Sequence, residues 1–261
     1  MLRHVATVFS LLCLLSQSGV AKEAVRWERL YTEHGITVSA GHRDGADLPM
    51  LKGVGVLPVN LYHLLAIVED VKRHNEWVYR VARAEIVERP SLLKLRAYLR
   101  FDFPWPANDR DGVVNVDVKR TWTPHHQVSI RFSRTVDRRR PEYDGVVRVP
   151  WSKGATRLRW IGPNQTHVEY MIDTDPGGLL PKWLVRWISR DLPLKILKGL
   201  HRQVTATRRD YGAFFDIWDP RRTWQPDSPQ SFSLLGVAPD NLAPPPPRPS
   251  LPSERELTDA P

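Results

Sequence analysis

Asp109, Arg110 and Asp111 stand in a row behind Pro104 and Pro106, in the stretch FPWPANDRDGV. A guanidinium between two carboxylates supports two kinds of chemistry. Its planar fork of donors can hold a phosphate in a bidentate contact, or the run can staple its own loop to neighbouring chain through an ion pair. Further on, Trp183 and Trp187 share a helix face by their spacing of four, with Lys182, Arg186 and Arg190 beside them. Amphipathic indoles flanked by cations suit an anionic membrane surface. The same indoles can equally pack against a sheet, on the side that carries Leu184 and Ile188.

The other combinations are poorer in chemistry. His125 and His126 are adjacent at a hairpin turn, where neighbouring side chains diverge and make a poor chelate. Glu169 and Asp173 fall on one strand face without an identified partner. Asn164-Gln165-Thr166 matches a glycosylation sequon but reads as a turn. The chain has a single cysteine, Cys13, and shows no GxSxG, HExxH or Gly-rich phosphate loop. No metal or cofactor is expected.

Those residues sit in a chain whose first 21 residues have a short basic start, an apolar run from Val5 to Leu15 and small residues at Gly19 and Ala21. This is the layout of a cleaved secretory leader, and the run is shorter than the roughly 20 residues needed to span a bilayer. Removing residues 1–21 takes away the only thiol, so the remainder must be held by its core alone. It also leaves 37 basic against 29 acidic residues, a net +8. A basic surface outside the cytoplasm points to anionic lipid or acidic polymers rather than to nucleic acid.

The elements that must position the chemistry are readable from periodicity. Residues 36–43 and 50–59 read as strands, and 60–78 as helical with Asn60 as its cap. Then LLKLRAYLRFDF sets Leu93, Leu95, Ala97, Leu99, Phe101 and Phe103 on one face and Lys94, Arg96, Tyr98, Arg100 and Asp102 on the other. The period of two returns with Val114, Val116 and Val118, with Val128, Ile130 and Phe132, with Leu158 and Trp160, and with Val168, Tyr170 and Ile172. A meander with one apolar face needs a cover, and the remaining candidate is the region 182–210, read as helices 182–192 and 194–210 broken at Pro193. Residues 22–210 form the folded domain. Residues 211–237 keep aromatic side chains and form an extension; the tail 238–261 holds 8 of the 23 prolines and no aromatic residue, so it cannot bury a core.

FPWPANDRDGV, VVRVPWSKGATRLRW (146–160), DTDPGGLLPKWLV (173–185) and Trp77, in this order and spacing, resemble a bacterial START domain over residues 25–210. The resemblance implies an α+β helix-grip fold, a curved antiparallel sheet wrapped around a long C-terminal helix, with two short helices after the third strand and a lipid tunnel. It implies a non-catalytic carrier of one lipid, acting as a monomer that touches membranes transiently, here exported to the periplasm. The expected lining is Leu95, Ala97, Leu99 and Phe101 on one strand, Val114, Val116 and Val118 on the next, then Ile130, Phe132, Trp160, Tyr170 and Ile172. Arg110 becomes a gate or headgroup contact, and Lys182, Trp183, Arg186, Trp187 and Arg190 a membrane contact. The positions that hold a buried carboxylate and guanidinium in sterol-binding members correspond here to Ala97 and Val116, so a sterol hydroxyl lacks that polar pair. The wider superfamily also contains cyclases and hydrolases, which keeps an enzyme acting on a polycyclic or polyketide-like substrate as the alternative.

Overall fold

The computed structural model describes residues 25–91, 93–121, 127–162, 164–180, 185 and 190–207. The leader-like residues 1–21, the 211–237 extension and the 238–261 tail lie outside the described residues, as do His125, His126, Lys182, Trp183, Arg186 and Trp187.

Among the described residues, ten strands form one sheet: β1 (Arg26–Glu33), β2 (Ile36–His42), β3 (Met50–Leu57), β4 (Val81–Ser91), β5 (Lys94–Phe101), β6 (Asp109–Thr121), β7 (Gln127–Thr135), β8 (Val146–Arg148), β9 (Trp151–Gly162) and β10 (Gln165–Asp175). Their order is β1-β2-β3-β10-β9-β7-β6-β5-β4, every neighbour antiparallel, with β8 parallel to the start of β6. Hairpins account for the runs β1 to β3 and β4 to β7. The β3–β10 pairing joins the two halves around the helices, so the curved sheet has a concave side to fill.

Among the described residues, the helices α1, α2 and α3 and one 3-10 turn fill it. The helix α1 (Leu61–Glu69) starts at Asn60, whose side chain accepts from the Tyr62 amide at 2.9 Å. The expected single helix over 60–78 is instead broken. It stops after Glu69, passes through the 3-10 turn Val71–Arg73 and resumes as α2 (His74–Trp77). The long helix α3 (Leu192–Thr207) packs on α1, α2, β2, β3 and β10. The expected division falls at Asp191, a turn between helical Arg190 and the start of α3, and Pro193 itself does not interrupt α3. Pro193 lies in the first turn, where an amide hydrogen has no intrahelical acceptor and its absence costs nothing.

The expected stripe Leu194, Leu197, Leu200 and Val204 is buried. With Leu61, Leu64, Ile67, Val128, Leu158 and Val168 it makes the larger core cluster. Close approach is set by Gly199: a Cβ there would overlap the Trp77 carbonyl, so α3 lies directly on the end of α2. Lys195 Nζ donates to Tyr79 Oη at 3.2 Å, and Gln203 Nε2 to Glu76 Oε2 at 2.6 Å, fixing the helix along its length. The result is the helix-grip arrangement, an open antiparallel sheet curved over its C-terminal helix.

Candidate functional site

Between sheet and helices lies a cavity of about 550 Å³. Its shape follows from strand register, because residues paired across successive strands form rows on the inner face. One row is Leu95, Val116, Phe132, Gly154 and Ile172. Gly154 is required there, since a Cβ would collide with the Phe132 ring lying across it. The next row is Ile130, Thr156 and Tyr170. The row after that, Val128, Leu158 and Val168, is at 0% exposure and packs under α1. This enclosed row ends the cavity. In the opposite direction the rows become polar: Ala97 and Val114 lie beside Arg134, and Ser152 beside Thr174. Beyond them Phe103, Arg110, Pro176 and Leu180 bound the cavity from loops rather than from packed strands.

Helices supply the other wall. Val71, His74 and Trp77 face the cavity from α2 and the turn before it, and Ile196, Leu197 and Leu200 from α3. His74 is held neutral: burial pushes its pKa down to about 4, while Nε2 donates to the Val68 carbonyl at 2.9 Å. Tyr170 is also shifted, burial raising its phenol well above the ordinary range, so it faces the cavity protonated.

The loop end is organised by Arg110. It is 2% exposed, and its guanidinium donates to the Pro176 carbonyl at 3.4 Å, the Gly177 carbonyl at 3.2 Å and the Asn108 carbonyl, while stacking 4.5 Å over the Phe103 ring. Burial lowers its pKa, which the nearby Asp109 charge partly offsets. The expected staple is therefore real in effect but not an ion pair: Arg110 ties the 103–108 loop to the DPGG turn through main-chain carbonyls. The two carboxylates go elsewhere. Asp109 accepts from Arg100 at 2.9 Å, and Asp111, 1% exposed, takes both Arg148 nitrogens at 2.6 and 3.1 Å and the Tyr98 hydroxyl at 3.1 Å. Tyr98, expected on a solvent face, is consequently covered by Tyr143 and Arg140. Glu169 and Asp173, read as lacking partners, are held by Arg157 and Arg43 at 2.8 Å each.

Of the expected lining, Leu95, Ala97, Leu99, Phe101, Val114, Val116, Ile130, Phe132, Tyr170 and Ile172 all face the cavity. Val118 and Trp160 do not. Val118 lies past the end of the β5–β6 pairing, which stops at Lys94 and Asp117, and it packs into the core cluster. Trp160, opposite Thr166, is one row beyond the enclosed Val128–Leu158–Val168 layer. Arg190, expected at a membrane, sits at the cavity edge with its guanidinium 5.8 Å over Tyr31. The reading from sequence missed Arg134, although it continues the phase of Val128, Ile130 and Phe132. A cation in step with an apolar face was the available signal.

The START domain model matches residues 12–207, three quarters of the chain. The chain belongs to the START domain family. Among relatives, an uncharacterized protein of Pseudomonas aeruginosa is 30% identical over 184 residues, covering 70% of this chain and 89% of that protein. The phosphatidylcholine transfer protein of Mus musculus is 24% identical over 176 residues, covering 67% of this chain and 81% of that one. The crystal structure of a STAR-related lipid transfer protein fragment from Xanthomonas axonopodis superposes with a TM-score of 0.62 at 24% identity, covering 69% of this chain and 98% of that one. This START domain thus shares the fold in which its cavity was found.

Proposed function

We propose that this START domain is a non-catalytic carrier that holds one lipid in the cavity and exchanges it at a membrane surface. The observation that carries the reading is the cavity itself: one end is sealed by packed core, the walls are apolar, and the other end is bounded by loops. Its volume lies within the roughly 300–1,000 Å³ of small-molecule sites. Burying an acyl chain contributes about 0.8 kcal/mol per methylene, so affinity needs no covalent step. The lipid-transfer names of the relatives above favour the same reading. The cavity is complete within one chain, which fits a monomer, and the leader-like residues 1–21 favour export to the periplasm.

The loop end offers a membrane contact. Trp105, in the loop that Arg110 binds, is 91% exposed, and Leu179, after the DPGG turn, is 103% exposed. Arg110 ties these two loops together, so both apolar tips stand at the loop-bounded end. With Lys182, Trp183, Arg186 and Trp187 outside the described residues, Trp105 and Leu179 are the membrane contact that the described geometry favours. The test is transfer of a fluorescent phospholipid between anionic vesicles. The wild type should move it, and the Trp105→Ala, Leu179→Ala double variant should move it several-fold more slowly with unchanged lipid bound per protein. Transfer unaffected by the double change would remove the loop contact; a wild type that moves no lipid would remove the carrier reading.

A further inference from the structure

Among the described residues, the Arg134 side chain has no partner in the fold. It extends from β7 into the row containing Ala97 and Val114, lines the cavity, and its Nε is enclosed without an acceptor. Among the described residues it makes no hydrogen bond or ion pair, whereas Arg96, Arg100, Arg139, Arg140 and Arg148 each hold a carboxylate. Keeping a guanidinium in an apolar cavity is costly unless an anion meets it.

The charge inventory of the cavity points the same way. Among the described residues, its charged lining is Arg80, Arg110, Arg134 and Arg190 against one carboxylate, Glu28. Glu28 lies 3.5 Å from His42. Arg110 is committed to three carbonyls and Arg80 lies 3.7 Å from Asp102. Two hydroxyl residues, Ser152 and Thr174, occupy the polar rows beside Arg134. The apolar rows begin immediately behind, at Phe132 and Val116. A molecule with an anionic head at Arg134 and a hydrocarbon body running toward Trp77 and Leu197 satisfies both ends.

We infer that the cavity selects amphiphiles with an anionic oxygen headgroup, a phosphate diester or a carboxylate, and that the Arg134 guanidinium is the group that recognises it. A guanidinium presents two parallel donors to either anion. The inference rests on the carrier reading above and narrows it from lipids at large to acidic ones. A neutral lipid of the same chain length leaves Arg134 unpaired and binds more weakly.

The experiment uses the full chain stripped of lipid and equilibrated separately with dioleoyl phosphatidylglycerol, oleic acid and dioleoylglycerol, with bound lipid counted by mass spectrometry. Wild-type protein should retain at least one of the two acidic lipids tenfold or more over dioleoylglycerol, and the one retained identifies the headgroup as phosphate or carboxylate. Arg134→Met should abolish that preference and hold dioleoylglycerol as well as or better than wild type. Arg134→Lys should keep part of the preference, showing that charge and not fold was lost; thermal melting of both variants checks the fold. Equal ratios in wild type and Arg134→Met would overturn the role of Arg134 while leaving the carrier reading standing. Failure of the wild type to take up any of the three would instead overturn the carrier reading on which the inference rests.

Discussion

His74 shows how a single cavity residue couples to pH. Its imidazole is packed edge-on against Trp77 with ring centres 5.2 Å apart, and burial holds its pKa at about 4, below the usual 6.5. The unfolded chain therefore takes up a proton at a pH where the folded chain does not. The sign is that of a depressed group: its contribution is complete above pH 6.5 and is lost as pH falls toward 4, amounting to at most about 3 kcal/mol. Replacing His74 with Gln keeps a donor for the Val68 carbonyl and removes the titration. Urea denaturation of both proteins between pH 7 and 4 should show a steeper loss for the wild type, and parallel curves would contradict the assignment. Which strand residues share the inner face was legible from alternation, because a period of two fixes the side of the sheet, whereas the cavity itself was expected only from the resemblance. Where along the strand the cavity ends was not legible. Val118 and Trp160 are in phase with lining residues, yet both pack against the core cluster, Val118 past the end of the β5–β6 pairing and Trp160 beyond the enclosed row.

At the scale of elements, legibility followed burial pattern. Strands β5, β6, β7, β9 and β10 have one face toward the helices, so their apolar residues alternate cleanly. The edge strands β1 and β4 were not read: β1 is exposed on nearly every residue, and β4 carries Pro90 near its end. Edge strands lack a second neighbour and tolerate such sequences. The break between α1 and α2 was equally hidden, since the apolar spacing runs on through a 3-10 turn. The contact of α3 with α2 was invisible for another reason. Gly199 reads as a weak spot in a helix, and the need for it comes only from the Trp77 carbonyl. In a helix without such a neighbour Gly→Ala would stabilise by about 1 kcal/mol. Here overlap at the carbonyl should outweigh that gain, leaving Gly199→Ala less stable by about 1–3 kcal/mol. A rise in the urea midpoint of Gly199→Ala would show that α3 is not packed as described.

At the scale of the whole molecule, a sheet gripping a helix would ordinarily close its core completely, and this one does so only at one end. Rows of Val128, Leu158 and Val168 seal it there, while Arg134, Arg110 and the loops around Trp105 and Leu179 mark the other. The helix-grip form was expected from the resemblance, whereas the periodicity of the chain reached only a sheet covered by helix. Gly112 gives a direct handle on the cavity. It lines the space, and a Cβ at this position would meet only Val149 at 3.9 Å, so a larger side chain can enter without disturbing the sheet. The deciding measurement is native mass spectrometry of the wild type and Gly112→Phe after exposure to total lipid extract. The wild type should carry one lipid molecule per chain, and Gly112→Phe, melting at a similar temperature, should carry several-fold less. Equal occupancy in the two proteins, or a wild type that stays empty, would contradict the claim that this cavity is where a lipid is held.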